Sequence, residues 1–304
     1  MRTTFKDTIP GELIKHVTAI CGLRGEEWLE QLPRLIGELE RKWSVTVHEA
    51  FPGIEFNFVA AATREEEPVV VKLAPPYERT EIHAEAKYLR TRDGGGAVKL
   101  IAADRERHAI MIERAMPGEA LFEVFKDDPA ASVLPAIGVL RSVLRPPPQD
   151  MTDVDSLDRW FANFRRYRGT AFPEHYAEKA FGIYERLSTQ PGRTFYLHGD
   201  FHPGNIVTSD RAPFLAIDPK GIVGHLGYDL AVFLNNLQWW RKADPGMPDL
   251  LNGAIGEFSA AFGMAEREIR EWAFAHMVIG AWWTFDEMPE HFDTDFAKID
   301  IWDV

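Results

Sequence analysis

The hydrophobic pattern of this sequence changes about one third of the way along the chain, and that change restricts the folds that the chain can adopt. Residues 11–39 have helical spacing with a break at 21–25. The next segments have the composition of β-strands, with one helix predicted at 77–91; the strands are predicted at 44–49, 56–63, 68–73, 98–103 and 108–112. After Gly118 the spacing is mainly helical, apart from two short apolar segments at 205–208 and 214–217. The pattern predicts an α+β fold in which a small β-rich part precedes a larger, mainly helical part.

Charge and composition exclude several classes of function. The 304 residues include 47 acidic and 34 basic side chains, and the resulting net charge of −13 repels a nucleic-acid backbone and favours a cationic ligand. Cys21 is the only cysteine, so no internal disulfide can form. Residues 1–10 are charged where a signal peptide would be apolar, and the apolar stretch 272–285 is too short to span a membrane. We therefore expect a cytoplasmic protein that binds neither nucleic acid nor membrane.

Functional residue types are densest in the run His198-Gly-Asp-Phe-His-Pro-Gly-Asn205, which is followed thirteen residues later by Asp218. A short hairpin is predicted between Asn205 and Asp218, and it would return Asp218 to the side of Asn205. Carboxylate and amide oxygens suit magnesium, so these two residues are the candidate metal ligands. Asp200 is the candidate base that receives the proton of an attacking hydroxyl group.

The histidines in this run allow a second interpretation. His198, Asp200 and His202 have the spacing of a His-x-Asp-x-His metal site such as a hydrolase uses. A dinuclear site would need further His or Asp ligands at matching spacing, and the remaining histidines are scattered along the chain. We therefore favour the alternative, in which His198 and His202 brace the loop by hydrogen bonds.

The run from His198 to Asn205 resembles the catalytic loop of the aminoglycoside phosphotransferases, in which HGDxHxxN stands where protein kinases have HRDxxxxN. The segment Ile217-Asp-Pro-Lys-Gly-Ile-Val-Gly224, followed by Tyr228-Asp-Leu-Ala231, is most similar to the aminoglycoside and hydroxyurea resistance kinases, which include streptomycin 6-phosphotransferases. The resemblance implies a bilobal protein-kinase-like fold and ATP-dependent phosphorylation of a hydroxyl group. It also implies that Asp229 holds the backbone of the catalytic loop, although an acidic residue at a helix start also stabilises the helix by itself.

A kinase of this kind needs a lysine on a strand of its N-terminal lobe, and Lys72 lies in an apolar β-branched run. Its partner should be a glutamate on the next helix, where Glu78, Glu81 and Glu85 compete. Glu85 lies three residues after Ile82, which marks the buried face, whereas Glu81 is rotated about 100° from that residue. Glu78 lies near the helix start, where an acidic residue is expected for the helix dipole alone. We therefore predict an ion pair between Lys72 and Glu85.

The adenine base is expected beside the segment that joins the two lobes, where the backbone of Glu113 and Ala115 can form hydrogen bonds with it. The turn expected to cover the phosphates, residues 50–57, has only one glycine, Gly53. This composition predicts a weaker phosphate cradle than the Gly-rich loop of protein kinases.

Taken together, residues 1–114 are expected to form the nucleotide-binding lobe and residues 115–304 the catalytic and acceptor-binding lobe. The expected cofactors are ATP or GTP, positioned by Lys72, and magnesium. The expected partner is a small-molecule acceptor, and a cationic aminosugar would suit a wall of aromatic and acidic side chains. The candidates for this wall are Trp239, Trp240, Trp272, Trp282, Trp283, Asp286 and Glu287.

Two rival functions share these residues. A kinase for hydroxyurea or for another small metabolite would keep every nucleotide residue and differ only in the acceptor wall. A non-catalytic nucleotide-binding module usually lacks the base or a metal ligand, whereas Asp200, Asn205 and Asp218 are all present here.

Overall fold

The structure is a computed structural model that describes residues 9–78, 80–240, 246–287 and 299–302, without the side chains of residues 239, 240 and 287. The chain divides into two compact units, Met1–Met116 and Pro117–Val304. The first unit contains a five-stranded sheet and the second is mainly helical, so the α+β class predicted from the sequence is confirmed.

The first unit consists of two helices followed by an antiparallel sheet with one inserted helix. In chain order its elements are α1 (Gly11–Cys21), α2 (Leu23–Trp43), β1 (Thr46–Ala50), β2 (Phe58–Arg64), β3 (Glu67–Leu73), α3 (Ile82–Arg92), β4 (Leu100–Asp104) and β5 (Ala109–Glu113). The strands pair in the order β1-β2-β3-β5-β4. Helix α3 begins later than residue 77, where the sequence predicts it, because the Tyr77 N–H donates to the Pro75 carbonyl in a tight turn.

Strand β3 lies in the middle of the sheet and carries Lys72, which is in register with Val59 of β2 and Ile110 of β5. Val71 and Leu73 belong to the buried core that the sheet forms with α1 and α2. Because side chains alternate between the two faces of a strand, Lys72 points to the face opposite Val71 and Leu73. The strand pairing therefore sets the direction of the lysine side chain.

The second unit contains seven helices and six short strands within the described residues. They are β6 (Pro117–Ala120), α4 (Leu121–Val124), α5 (Val133–Val143), β7 (Asp155–Ser156), α6 (Leu157–Phe164), α7 (Glu174–Leu187), β8 (Thr194–Leu197), β9 (Ile206–Ser209), β10 (Phe214–Ala216), β11 (Ile222–His225), α8 (Gly227–Trp240), α9 (Met247–Phe262) and α10 (Glu266–Glu287). The hairpin β9–β10 is predicted from the sequence, whereas β6, β7, β8 and β11 are not. All six strands have two to four residues, too few to show an alternation of period two, and β9 and β10 are predicted only because a turn separates their two apolar segments.

Two small sheets and one helix support the loop of residues 198–205. The sheets have the strand orders β10-β9-β6 and β7-β11-β8, so the loop connects a strand of one sheet to a strand of the other. The start of α8 packs tightly on α10, because a Cβ added to Gly227 would lie 2.2 Å from the Trp272 Cδ1 atom. None of the helices in the described part of the chain combines the length and apolarity that a membrane crossing needs.

Candidate active site

Lys72 and Glu85 form the ion pair that the sequence predicts. Lys72 lies on β3 and Glu85 in the first turn of α3, and the Lys72 Nζ atom lies 2.7 Å from the Glu85 Oε2 atom. Only 6% of Lys72 and 3% of Glu85 is exposed to solvent. Breaking this contact would leave an uncompensated charge in the interior, so the pair holds the ammonium group in one position.

Helical phase distinguishes Glu85 from the two glutamates that precede it. Glu85 is buried on the same face of α3 as Ile82 and Ala86. Glu78 and Glu81 are both exposed. Glu81 precedes the helix and its carbonyl accepts the Glu85 N–H at 2.9 Å, which places the two residues one turn apart along the chain but in different environments. Helical spacing therefore selects the correct partner of the lysine.

The loop of residues 198–205 is anchored by Asp229 in the first turn of α8. The two carboxylate oxygens of this fully buried residue accept the backbone N–H groups of His198 at 2.9 Å and Gly199 at 2.8 Å. Gly199 has a φ of +82°, and a Cβ added there would lie 3.0 Å from the Lys220 Cβ atom. Asp229 thus has the loop-holding role that the resemblance implies.

His198 braces the same loop from inside. Its Nε2 donates to the Ile217 carbonyl at 2.9 Å and its Nδ1 accepts the Asp200 N–H at 3.3 Å. Because both ring nitrogens of this buried residue form hydrogen bonds, His198 is not a metal ligand, and the His-x-Asp-x-His interpretation fails on this residue. Within the described residues, no group of three or more His, Cys, Asp or Glu side chains is placed to hold a metal ion.

Asn205 connects the candidate base to the candidate metal site. Its Nδ2 donates to the Asp200 carbonyl at 3.0 Å and to the Asp200 Oδ2 atom at 3.3 Å. The amide nitrogen is therefore used for Asp200, and the amide oxygen is the atom of Asn205 that suits a cation. Asn205 is buried, whereas about a third of the Asp200 side chain, 33%, is exposed and accessible to a substrate.

The hairpin β9–β10 returns the chain to Asn205 directly before Asp218. The Ile217 N–H donates to the Asn205 carbonyl at 2.9 Å, which places the backbone of Asp218 next to that of Asn205. Asp218 has a φ of +55°, a left-handed conformation that aspartate adopts more readily than most residues and that is frequent at functional sites. A carboxylate and an amide oxygen on neighbouring chain segments are a donor set that fits magnesium, which takes its remaining ligands from water and phosphates.

The backbone N–H of Glu113 already forms a hydrogen bond within the first unit. The Glu113 N–H donates to the Lys99 carbonyl at 2.9 Å, and the Glu113 Oε2 atom accepts the Lys99 N–H at 2.9 Å. Ala115 follows the end of β5 in irregular, half-buried backbone. Of the two expected adenine contacts, Glu113 therefore already uses its N–H in a hydrogen bond within the protein.

The turn between β1 and β2 contains the expected phosphate loop. Its single glycine, Gly53, has a φ of +71°, and a Cβ added there would meet no atom within 4 Å. Glycine is therefore favoured by the backbone conformation and not by close packing within the protein. The turn is closed by a hydrogen bond from the Phe51 N–H to the Val59 carbonyl at 2.9 Å.

Two members of the expected acceptor wall, Trp272 and Trp282, are wrong. Trp272 and Trp282 are buried and belong to the core of the second unit, where Trp272 stacks on His225, so they cannot form a surface for a ligand. Trp283 is 37% exposed, and Asp286 lies 3.1 Å from the Arg166 guanidinium. The side chains of the other three candidates, Trp239, Trp240 and Glu287, lie outside the described residues.

Trp160 is an aromatic residue that contacts Tyr228, a neighbour of the candidate base, and that the sequence motifs do not single out. Its ring contacts those of Tyr228 and Trp283 edge to face, at centroid distances of 5.7 and 5.5 Å, and its Nε1 donates to the Asp155 Oδ2 atom at 3.2 Å. Burial raises the pKa of Tyr228 well above its usual range, and the nearby charge of Asp200 contributes. The group therefore extends from the neighbourhood of Asp200 to the exposed Trp283.

The sequence signal that could have identified Trp160 is weak. The residue is in helical phase with Leu157 and Phe164, which are both buried, so its spacing predicts a core residue. Asp155 lies just before this helix and is only partly buried, and its carboxylate accepts the indole N–H. The only sequence signal for a functional Trp160 is therefore the carboxylate of Asp155, which lies five residues before it at the start of the helix.

The fold is similar to that of solved small-molecule kinases. The choline kinase LicA from Streptococcus pneumoniae matches with a TM-score of 0.61 at 14% sequence identity, covering 89% of this chain and 99% of that one. With its β-rich first unit, its mainly helical second unit and the loop of residues 198–205, the chain has the fold of the kinase-like phosphotransferases.

Sequence comparison defines the family within this class. Residues 43–287 match the model of the aminoglycoside/hydroxyurea antibiotic resistance kinases. The chain is 27% identical to streptomycin 6-kinase of Streptomyces glaucescens over 94% of each chain, and 26% identical to hydroxyurea phosphotransferase of Kitasatospora aureofaciens over 92% of this chain and 81% of that one. The chain therefore belongs to the aminoglycoside/hydroxyurea antibiotic resistance kinase family. It is a phosphotransferase that uses a nucleotide and acts on a small molecule, as the sequence motifs predict.

Proposed function

We propose that this chain transfers the γ-phosphoryl group of ATP to a hydroxyl group of a cationic aminoglycoside of the streptomycin type, in a magnesium-dependent reaction. The observation that carries the proposal is the double role of Asn205, whose amide nitrogen binds Asp200 while its backbone carbonyl accepts the N–H of the residue before Asp218. This arrangement supports the proposed roles of Asp200 as base and of Asn205 and Asp218 as oxygen ligands, because the three residues lie on connected, neighbouring chain segments.

Each residue has one task in this proposal. Asp200 orients the acceptor hydroxyl and takes its proton as the oxygen attacks phosphorus. Asn205 and Asp218 hold magnesium, which when bound neutralises charge on the phosphates. Lys72, held in place by Glu85, contacts the phosphates of the nucleotide with its ammonium group. Catalysis is then mainly a matter of position and charge, because phosphoryl transfer needs no covalent step on the protein.

The adenine contacts are assigned to the backbone of two residues. The Glu113 carbonyl oxygen accepts the exocyclic amino group of adenine, and the Ala115 N–H donates to a ring nitrogen. Residues 1–114, which make up nearly all of the first unit, are then the nucleotide-binding lobe. The second unit is the catalytic and acceptor-binding lobe.

The cationic nature of the acceptor is supported by the group around Trp160. Trp160 and Trp283 present indole rings at a partly exposed surface, and aromatic faces attract guanidinium and ammonium groups. Asp155 lies at the edge of this surface with its carboxylate held by the Trp160 Nε1–H. Both carboxylates are paired with an arginine, Asp286 with Arg166 at 3.1 Å and Asp155 with Arg159 at 3.8 Å, so the proposal depends mainly on the aromatic rings. The net charge of −13 also favours a cationic substrate.

The direct test is the rate of ADP release with purified protein, ATP and magnesium across a panel of acceptors. The panel contains streptomycin and other aminoglycosides, with hydroxyurea and simple alcohols as comparators. We expect the highest kcat/KM for a guanidino-aminoglycoside. A higher kcat/KM for hydroxyurea would instead support the second candidate, a hydroxyurea kinase, which the similarity to hydroxyurea phosphotransferase favours.

A second measurement tests the acceptor surface. Trp160→Leu should raise the KM for the aminoglycoside and leave the KM for ATP unchanged, because the indole faces only the acceptor in this proposal. Phe125→Leu is a matched control, since it removes a ring that lies against Phe214 in the same unit. An unchanged acceptor KM in the Trp160 variant would exclude this surface.

A further inference from the structure

His202 differs from His198 in its environment, although both lie in the same loop. His198 is fully buried with both ring nitrogens in hydrogen bonds. The His202 side chain is 29% exposed, and its Nε2 atom lies 3.9 Å from the Asp200 Oδ1 atom. The sequence predicts that both histidines brace the loop. In His202 this bracing uses only one of the two ring nitrogens, and the other nitrogen lies towards Asp200.

The hydrogen bond at the His202 Nδ1 atom determines the tautomer of the ring. The His202 Nδ1 atom accepts the Gly204 N–H at 3.0 Å and so caps the short 3-10 helix Pro203–Asn205 at the end of the loop. An atom that accepts an N–H carries no proton, so in the neutral ring the proton is on Nε2. The ring therefore presents an N–H group towards the carboxylate of the candidate base.

Gly204 keeps the ring in this orientation. A Cβ added to Gly204 would lie 2.8 Å from the His202 Cε1 atom, which is closer than real side chains approach. The glycine thus allows the imidazole to lie flat against the backbone that it caps. The orientation of His202 is fixed by a hydrogen bond and by the absence of a side chain two residues later.

From these contacts we propose that His202 is a positioning residue for Asp200, an inference that rests on the proposed role of Asp200 as the base. Asn205 donates to the Asp200 Oδ2 atom at 3.3 Å, and His202 supplies the matching donor for Oδ1. The distance of 3.9 Å exceeds a hydrogen bond, and rotation of the carboxylate in the substrate complex closes it. A base that is held by donors at both oxygens keeps one orientation towards the acceptor hydroxyl.

Two substitutions separate positioning of the base from capping of the loop. His202→Asn keeps an oxygen close to the place of Nδ1, where it can still accept the Gly204 N–H, but it has no donor near Nε2. His202→Gln places an amide N–H group near Nε2 and lacks the acceptor for Gly204. The positioning role predicts that the Asn variant loses up to about 100-fold in kcat with an unchanged KM for ATP, and that the Gln variant retains more kcat than the Asn variant.

A purely structural role predicts the reverse order, because only the Asn variant preserves the cap. Equal losses of kcat in both variants, or a loss confined to the Gln variant, would overturn the proposal. The melting temperature of each variant reports loss of the cap independently of catalysis. His175→Gln is the matched control, since His175 is exposed on α7 and is expected to leave kcat unchanged.

The same assays with Asp200→Ala distinguish this inference from the proposed function. If Asp200→Ala retains wild-type turnover, the role of Asp200 fails and His202 has no base to position. If Asp200→Ala is impaired but His202→Asn has wild-type kcat, only the inference about His202 is wrong. In the Asp200→Ala background, His202→Asn should cause no further loss of kcat, because a positioning residue acts through the base.

Discussion

Glu85 Oε2 lies 2.7 Å from Lys72 Nζ, and both side chains are almost completely removed from solvent. A buried pair of this kind contributes little net stability by itself, because desolvation of the two charges offsets their attraction. Removal of one partner is costly, since the other charge remains buried and unpaired. The pair therefore couples the position of the lysine to the integrity of the first unit.

Glu85→Gln should slow turnover strongly and lower the free energy of unfolding by about 3 kcal/mol, because the Lys72 ammonium is left without its counter-charge. Steady-state kinetics and urea unfolding measure the two effects. Glu81→Gln is the matched control, since Glu81 lies one turn earlier and is exposed. Equal effects of the two substitutions would show that the buried pair has no special role.

Asp200→Ala should lower kcat by about 10²- to 10⁴-fold, which is the usual contribution of a general base. Nucleotide binding should be nearly unchanged, because in the proposed mechanism Asp200 contacts the acceptor and not the nucleotide. Isothermal titration with ATP and magnesium, together with the rate of ADP release, tests both statements. Turnover above about a tenth of the wild-type value would exclude the base role.

Asp218→Asn should abolish the dependence of nucleotide binding on magnesium, because the substitution removes the negative charge that faces the metal. Asparagine tolerates the left-handed backbone at this position, where φ is +55°, so the fold should be retained. Nucleotide titrations at several magnesium concentrations measure the effect. A magnesium dependence equal to that of the wild type would remove Asp218 from the site.

His225 should make the stability of the second unit depend on pH. Burial, together with the smaller effect of the nearby Arg193, lowers the pKa of His225 to about 4, although the opposite charge of Glu268 acts to raise it. The unfolded histidine has a pKa of about 6.5, so between these two values the unfolded chain binds a proton that the folded chain does not. Stability is therefore fully present above pH 6.5 and falls as the pH decreases towards 4, by about 3 kcal/mol.

Urea unfolding at pH 7 and at pH 4.5 measures this dependence. His225→Asn removes the titrating group but keeps an acceptor for the Gly227 N–H, which the His225 Nδ1 atom accepts at 3.0 Å. The variant should lose less stability than the wild type between the two pH values. A second histidine, the partly buried His276, has its pKa lowered by desolvation to about 4 and should maintain part of the slope in both proteins. Identical slopes would show that His225 does not titrate in this window.

Much of the site is predictable from the sequence because its parts are local. Residues 198–205 and the hairpin that follows are contiguous, so turn residues and strand spacing place Asn205 beside the residue before Asp218. Glu85 is selected by the phase of one helix, which depends only on its own apolar residues. The predicted ion pair then needs one tertiary contact, between a helix and the neighbouring strand.

The errors arise where burial depends on distant parts of the chain. Trp272 and Trp282 lie at helical spacing on α10, and nothing in that spacing shows that other helices cover them. Trp160 has the phase of a core residue and is nevertheless partly exposed. The backbone of Glu113 remains a proposed adenine contact, and only the tertiary structure shows that its N–H donates to the carbonyl of Lys99.

The sequence by itself determined the family, the α+β order of elements and the types of residue in the loop of residues 198–205, because these properties follow from contiguous patterns. Tertiary structure decided which side chains face each other and which reach solvent. Gly227 is an example, since its missing side chain lets the start of α8 approach Trp272, forty-five residues later in the chain. The direction of the His202 Nε2–H group towards Asp200 is another, because it depends on the folded geometry of the loop. The burial and the orientation of a side chain depend on neighbours from many parts of the chain, and a local sequence pattern does not specify those neighbours.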